Sequence, residues 1–185
     1  MVLEIAARQM HLKGYNHTGI QEILNEAKIP KGSFYFYFKS KEDLGLQVIE
    51  YFGQFINSQL EDHLSRNGSS RLENVKIFFT EFLGFFIEGN YEGGCPIGNL
   101  TLEMADVKEK FRTKLDEVFS TGISRIQKEL VLAKEEGGIN KNITLDGMAQ
   151  FIFFSWEGMI MQMKLKKDTQ PLENFKQMVF ERLLY

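Results

Sequence analysis

Apolar residues recur at intervals of three and four along almost the whole chain, from Leu3 near its start to Leu183 near its end. This interval places them on one face of an α-helix, whereas a strand requires alternation at every second residue. No sustained alternating run bounded by turn residues occurs in the sequence. The chain is therefore predicted to be all-α, with about nine helices.

Glycines and small polar residues divide the pattern into separate helices. Gly14 is expected to end the first helix, and Thr18 to cap the second. Ser40 and Asp43 resemble a capping box at the start of a long fourth helix, and Thr144 is expected to cap the eighth. The other predicted breaks are a loop at 66–70, a glycine segment at 89–94 and a glycine pair at 137–138.

Charge is distributed unevenly along the 185 residues, whose net charge is -3. Residues 1–41 contain six Lys or Arg and three acids, so the acidic excess lies entirely in the rest of the chain. A basic segment attracts phosphate even in an acidic protein. The charge division predicts a head at 1–45 that can meet nucleic-acid phosphate and an acidic body at 46–185.

Residues 14–43 combine two short helical patterns with a four-residue turn, Ala27 to Pro30. This arrangement is typical of a helix-turn-helix, which inserts its second helix into the major groove of DNA. Phe34 and Phe38 are four residues apart and are predicted to face inward. The residues between and around them then face outward.

The outward residues suggest particular contacts with double-stranded DNA. Lys31 is expected to donate to guanine, Ser33 to either purine, and Phe36 to meet a thymine methyl group, while Gly32 permits close backbone approach. Four further residues are expected to contact phosphate: Thr18, Tyr35, Tyr37 and Lys41. The alternative interpretation is that the aromatic run is core, and that Lys39 and Lys41 form a solvated rim.

The same residues carry a resemblance to a known family. The motif elements are Ala6-Ala7, Lys13-Gly14-Tyr15, Thr18, Ile23, the run from Lys31 to Phe38, and Ser40-Lys41-Glu42. At this mutual spacing the segment 2–48 resembles the N-terminal DNA-binding domain of the tetracycline-repressor (TetR) family of bacterial regulators. The resemblance implies a homodimer that binds a palindromic operator and releases it when a small molecule enters the C-terminal domain. Residues 94–106 resemble one C-terminal subgroup of that family.

Two positions depart from the family pattern. Lys28 stands in the turn where the family usually has glycine, and Pro30 begins the third helix where it usually has Ser or Thr. These departures leave open a second interpretation, a helical small-molecule-binding or scaffold protein whose head does not bind DNA.

Two predicted helices of the C-terminal domain are rich in aromatic residues and methionine. A cavity with such walls suits a small hydrophobic or aromatic effector. The expected lining residues, with Cys95 added, are Phe78, Phe82, Phe86, Phe151, Phe154, Trp156 and Met159. The alternative is that such a stripe is simply core.

The eighth predicted helix is apolar on nearly all sides, so one side is expected to meet a second copy of the chain. Together with the ninth helix it would form a four-helix dimer interface. The candidates are Phe153, Ile160, Met178 and Leu183. The head at 1–45 is thus predicted to be the DNA-binding domain and the body at 46–185 the ligand-binding and dimerisation domain.

Cys95 is the single cysteine, and it precedes a predicted helix start. The positive end of the helix dipole favours a thiolate there, so a redox or electrophile sensor is one interpretation, and a small buried hydrophobe is the other. One cysteine allows no internal disulfide, which agrees with a reducing compartment.

Several classes are disfavoured by the sequence. The apolar stretch 151–163 is interrupted by Glu157 and is too short to cross a bilayer, and the N-terminus lacks a signal peptide, so we expect a cytoplasmic location with no membrane partner. His11, His17 and His63 have no metal-ligand spacing, and no phosphate-cradling glycine motif occurs. We expect no metal, no cofactor and no enzymatic activity.

Overall fold

The computed structural model describes residues 1–66 and 68–185, and all regular elements there are helical. The prediction of an all-α fold is confirmed. The helices are α1 (Val2–Lys13), α2 (Ile20–Ala27), α3 (Lys31–Tyr37), α4 (Lys41–Leu64), α5 (Arg71–Glu81), α6 (Gly84–Glu88), α7 (Pro96–Met104), α8 (Glu109–Glu135), α9 (Met148–Lys166) and α10 (Gln170–Lys176), which continues as a π-helix (Gln177–Leu183).

Within the described part of the chain these elements correspond to the predicted helices, with two refinements. The predicted fifth helix is interrupted at 82–83 and becomes α5 and α6, and the last helix changes to π geometry after Lys176. Of the predicted loop at 66–70, Asn67 lies outside the described residues.

The chain forms two compact units, one of 1–55 with 95–119 and the other of 56–94 with 120–185. Helices α4 and α8 each contribute residues to both units. The predicted domain boundary after residue 45 remains a prediction.

Two helix ends in the first unit form at the residues that the sequence indicated. Gly14 ends α1 with φ 86°, a conformation that favours glycine. At the start of α4 the Asp43 N–H donates to Ser40 Oγ (3.1 Å) and the Lys39 N–H donates to the Asp43 carboxylate (2.8 Å), so this capping prediction is confirmed. The N-cap of α2 is Gly19, so the prediction that Thr18 caps this helix is wrong.

The remainder of the first unit packs residues 95–119 against its N-terminal helices. The rings of Tyr15 and Phe111 meet edge to face, with centroids 4.9 Å apart. Gly45 lies directly beside both rings, because a Cβ there would be 2.7 Å from each. Hydrogen-bonded ion pairs join Glu42 to Lys108 (2.6 Å) and to Lys110 (3.1 Å).

The second unit has an aromatic core centred on Phe79 and Trp156. Their ring centroids are 5.8 Å apart, and the indole Nε1–H donates to the Phe79 carbonyl (2.9 Å). Helix α9 begins at Met148 after Gly147, which has φ 67°, so the predicted cap at Thr144 is wrong. Among the described residues, no helix is long and apolar enough to cross a membrane.

Candidate nucleic-acid interface

Helix α3 has one buried and one exposed face. Phe34 is completely buried and Phe38 nearly so, as predicted, and their ring centroids lie 5.4 Å apart. Tyr35, Phe36 and Tyr37 are 65%, 87% and 68% exposed. Since burial of aromatic area is favourable, three large rings held in water on a seven-residue helix indicate a surface that meets a partner.

Three lysines surround this exposed face. Lys28, Lys31 and Lys39 are exposed, and none has an ion-pair partner within residues 1–66 and 68–185. In contrast, both cations of α1 are paired: Arg8 contacts Glu26, and Lys13 contacts Glu22. Positive charge is thus left uncompensated around α3, and sequence reasoning had not counted Lys28 and Lys39 among the DNA contacts.

The turn between α2 and α3 is formed even though Lys28 and Pro30 depart from the family pattern. Lys28 adopts the left-handed conformation (φ 56°, ψ 37°), and its N–H donates to carbonyls at the end of α2. A non-glycine residue there costs about 1–2 kcal/mol. Pro30 caps α3 with φ -63°, the value its ring imposes.

Gly32 and Ser33 occupy the first turn of α3. Gly32 is exposed, and a Cβ at this position would meet no atom within 4 Å, so the backbone is open to close approach. Ser33 is half-buried, and its N–H donates to the Pro30 carbonyl (3.0 Å). Contacts of both residues with DNA remain predictions.

Thr18 requires a correction. Its side chain is completely buried, and its hydroxyl donates to the Gly14 carbonyl (2.7 Å). The hydroxyl therefore closes the turn between α1 and α2 and does not face a phosphate.

Lys41 is also more enclosed than the sequence suggested. Its Nζ donates to the Asn16 carbonyl (3.3 Å) and lies 4.6 Å from the centroid of the Tyr15 ring. Burial lowers the pKa of the Lys41 ammonium from its ordinary value, and the Glu103 carboxylate opposes that shift. Lys41 is thus held against the α1–α2 turn, and its contact with phosphate stays a prediction.

The predicted effector residues are divided between core and surface. Phe78, Trp156 and Met159 are buried, and the Phe82 ring lies 5.5 Å from Phe78 and 5.8 Å from Trp156. Phe86 is buried with its ring 5.7 Å from Tyr91. These rings belong to the packed interior of the second unit.

The structure divides the residues of α9 between core and surface differently from the prediction. Phe153 and Ile160, expected at the dimer interface, are buried within the chain at 6% and 4% exposure. Phe151 and Phe154, expected to line a cavity, are 57% and 47% exposed. Because the helix is apolar on nearly all sides, its pattern did not reveal which side packs inward.

An open groove runs along the surface formed by α9, α10 and the π-helix. It has a volume of about 520 Å³. Its lining, which combines predicted effector and predicted dimer residues, is Phe151, Ser155, Gly158, Met159, Gln162, Pro171, Asn174, Phe175, Met178, Val179 and Leu183.

Cys95 belongs to the first unit and is the N-cap of α7, directly before the helix start, as predicted. Its side chain is buried, and its Sγ accepts a hydrogen bond from the Gly98 N–H (3.4 Å). The Cys95 sulfur thus lies at the N-terminus of α7 and contacts a backbone N–H of its first turn.

A helix-turn-helix whose second helix is exposed and has unpaired lysines in it and on both sides of it is typical of a DNA-binding protein. The profile of the bacterial regulatory proteins of the tetR family matches residues 2–48, and that of the tetracyclin repressor-like C-terminal domain matches residues 71–179. The chain therefore belongs to the TetR family of transcriptional regulators, which bind operator DNA as dimers and respond to ligands.

Curated relatives support the same assignment over nearly the full length. The chain is similar to the HTH-type transcriptional repressor DhaR of Mycobacterium sp. strain GP1, with 36% identity over 93% of this chain and 85% of that protein. It is also similar to the transcriptional regulator AcuR of Cereibacter sphaeroides, with 31% identity over 88% of this chain and 74% of that protein.

Solved structures with the same fold include a regulatory protein TetR from Rhodobacter sphaeroides. It has a TM-score of 0.90 and 28% identity, with 97% of this chain and 95% of that chain covered. The reduced form of E. coli NemR has a TM-score of 0.89 and 25% identity, with 97% and 93% covered.

Proposed function

We propose that this regulator is a repressor, that it binds a palindromic operator through the exposed face of α3, and that a small apolar molecule releases it. The carrying observation is the set of exposed rings at 35–37 surrounded by three unpaired lysines among the described residues. We propose regulation and not catalysis as its activity, and the cytoplasm, where such DNA lies, as its location.

Selection from a random pool of duplexes tests the proposal directly. The wild-type chain should enrich a two-fold symmetric sequence whose half-sites lie one helical turn, or a multiple of it, apart. The logarithm of the binding constant should fall linearly with the logarithm of the salt concentration, because lysines displace counterions from phosphate. A chain that enriches no sequence and shows no salt-sensitive binding would instead support the helical scaffold with a DNA-silent head.

We propose that two copies of the chain meet at the groove along α9 and α10. Met178 lines it and is 54% exposed, and Phe154, Met161 and Leu165 add further exposed apolar area on α9. Such an apolar surface is typical of a subunit interface. A second copy related by two-fold symmetry would bury the same surface on both chains.

The aromatic interior of the second unit supports an apolar effector. Trp156 is the single tryptophan and is packed among Phe79, Phe82 and Phe153, so its emission reports any molecule that inserts there. Aromatic and aliphatic compounds that release DNA should also shift or quench Trp156 fluorescence. Release without any change in emission would place the effector site away from these rings.

A redox response is a second candidate, favoured by Cys95 at the N-terminus of α7. The Gly98 N–H and the helix dipole both favour a thiolate at this sulfur. Hypochlorite or an electrophile such as N-ethylmaleimide should then release wild-type protein from DNA but not the Cys95→Ser variant. Equal release of both proteins would exclude this role.

A further inference from the structure

The α1–α2 turn is held by a carboxylate from α7. Glu103 Oε2 accepts the Tyr15 N–H and Glu103 Oε1 accepts the Asn16 N–H, each at 2.8 Å. Both oxygens are therefore used, in two charge-assisted hydrogen bonds of the stronger kind. The contact joins residues 88 and 87 positions apart within the first unit.

Gly14 makes this approach possible. A Cβ at Gly14 would lie 2.8 Å from Glu103 Oε2, and the residue has φ 86°. Any other side chain would therefore meet both strain and a collision with the carboxylate. The glycine that ends α1 also admits Glu103 to the two following amides.

The same turn also contacts Met104 and Lys41. The Asn16 side-chain amide donates to Met104 Sδ (3.7 Å), and the Asn16 carbonyl accepts from Lys41 Nζ (3.3 Å). Lys41 is the first residue of α4 and follows α3 by a short connection. One turn thus links the end of α7 to the residue next to the proposed recognition helix.

We propose that Glu103 is a positioning residue that couples α7 to the DNA-binding helices. The inference rests on the proposed function. Glu103 lies in the region matched by the C-terminal family profile, whereas Tyr15 and Asn16 lie in the region matched by the N-terminal one. A displacement of α7 pulls on two backbone amides of the turn. Because coupling is reciprocal, DNA bound at α3 in turn stabilises α7.

Hydrogen exchange with and without the duplex selected by the wild-type chain tests the coupling. In wild-type protein, the duplex should slow exchange in peptides covering 11–18 and 96–104. In Glu103→Gln one acceptor oxygen is replaced by an NH2 group, so at least one of the Tyr15 and Asn16 amides should exchange about tenfold faster. The protection of 96–104 by DNA should be largely lost, while the preferred base sequence stays the same.

Glu109→Gln is the matched control. It removes the same charge from an exposed carboxylate that pairs with Arg112 on the next turn of its own helix, so it should behave like the wild type. If Glu103→Gln does not fold, Glu103→Asp replaces it, since that variant keeps the charge but withdraws the carboxylate by one methylene.

Two outcomes would overturn the proposal, and they are distinguishable from each other. A folded Glu103 variant in which DNA still protects 96–104 overturns the proposal, because a merely structural contact would lower stability without removing that protection. A wild-type chain that selects no duplex overturns the proposed function, and the coupling with it.

Discussion

Single residues around α3 decide what the N-terminal helices offer to DNA. Lys31 is exposed in the first turn of α3 and has no ion-pair partner in the described part of the chain, so its ammonium keeps its full hydrogen-bonding capacity. Lys41 has already used part of its capacity on Asn16 and Tyr15. The structure therefore ranks Lys31 above Lys41 as a source of free positive charge.

Lys31→Ala should weaken operator binding by roughly 1–3 kcal/mol and relax the preference at one base pair in each half-site, because a base-edge donor is removed. Fluorescence anisotropy with the selected duplex and its single-base variants measures both effects. Lys141→Ala, which removes an exposed lysine from the second unit, is the control and should bind like the wild type. Unchanged affinity and specificity in Lys31→Ala would contradict a base contact.

Helix packing in the first unit depends on the absence of a side chain at Gly45. The rings of Tyr15 and Phe111 occupy the space on that side of α4. Glycine in a helix normally lowers stability by about 1 kcal/mol relative to alanine. At Gly45 this loss of helix propensity is accepted because it permits close packing. The site is the place where α4 meets both α8 and the α1–α2 turn.

Gly45→Ala should therefore lower the free energy of unfolding, because overpacking costs about 1–3 kcal/mol and exceeds the gain in helix propensity. Urea titration followed by circular dichroism measures the change. Gly32→Ala has open space around the new Cβ and should keep or raise stability. Equal stability of Gly45→Ala and wild type would show that the two rings move aside freely.

Ion pairs that join α4 to α8 and to Lys108, the residue before α8, make stability depend on pH. Hydrogen bonds from Lys108 and Lys110 lower the pKa of Glu42 below its usual value of 4.5, and a hydrogen bond from Lys114 lowers that of Glu50. As the pH falls below about 4.5 the unfolded chain takes up these protons first, so the folded state loses stability. Above that range the contribution is fully present.

Thermal unfolding should accordingly change little between pH 7 and 5.5 and then shift to lower temperature as the pH falls through 4.5. The Glu42→Gln, Glu50→Gln double variant should be less stable at pH 7 and should lose less on acidification. Asp106→Asn, which removes an exposed carboxylate without an ion pair in the described part of the chain, is the control and should be as stable as the wild type at pH 7. If the unfolding temperature of the double variant falls on acidification as much as that of the wild type, other groups cause the pH dependence.

At the scale of the whole molecule, the dimer determines whether two recognition helices fit successive major grooves. The exposed apolar residues of α9, with Met178, are the surface we propose for that contact. Loss of the dimer should therefore abolish specific binding even when each chain folds normally.

Met178→Glu should convert the dimer to a monomer, because the proposed interface would bury an unpaired carboxylate from each copy, and operator binding should fall with it. Light scattering after size-exclusion chromatography gives the mass, and anisotropy gives the binding. Phe85→Glu places the same charge on an apolar residue that is 79% exposed outside the groove, and it should remain dimeric. A dimeric Met178→Glu would show that the contact lies on another surface.

Several features were readable from local sequence because local chemistry determines them. Gly14 ends α1, Ser40 caps α4, and Phe34 and Phe38 face inward as their spacing required. The faces of α9 were not readable, since apolar residues occur on all sides of it. The π geometry after Lys176 and the burial of Thr18 carry no sequence signature of their own.

The sequence by itself determined the helical architecture and the outward residues of α3, because these follow from interactions within one or two turns of chain, and it determined the family through motif elements spaced over residues 2–48. Tertiary structure decided which side of α9 is core, and it brought Glu103 to the amides of Tyr15 and Asn16. Those features depend on contacts between residues far apart in the chain, and hydrophobic burial is not directional, so a local pattern does not specify its partner.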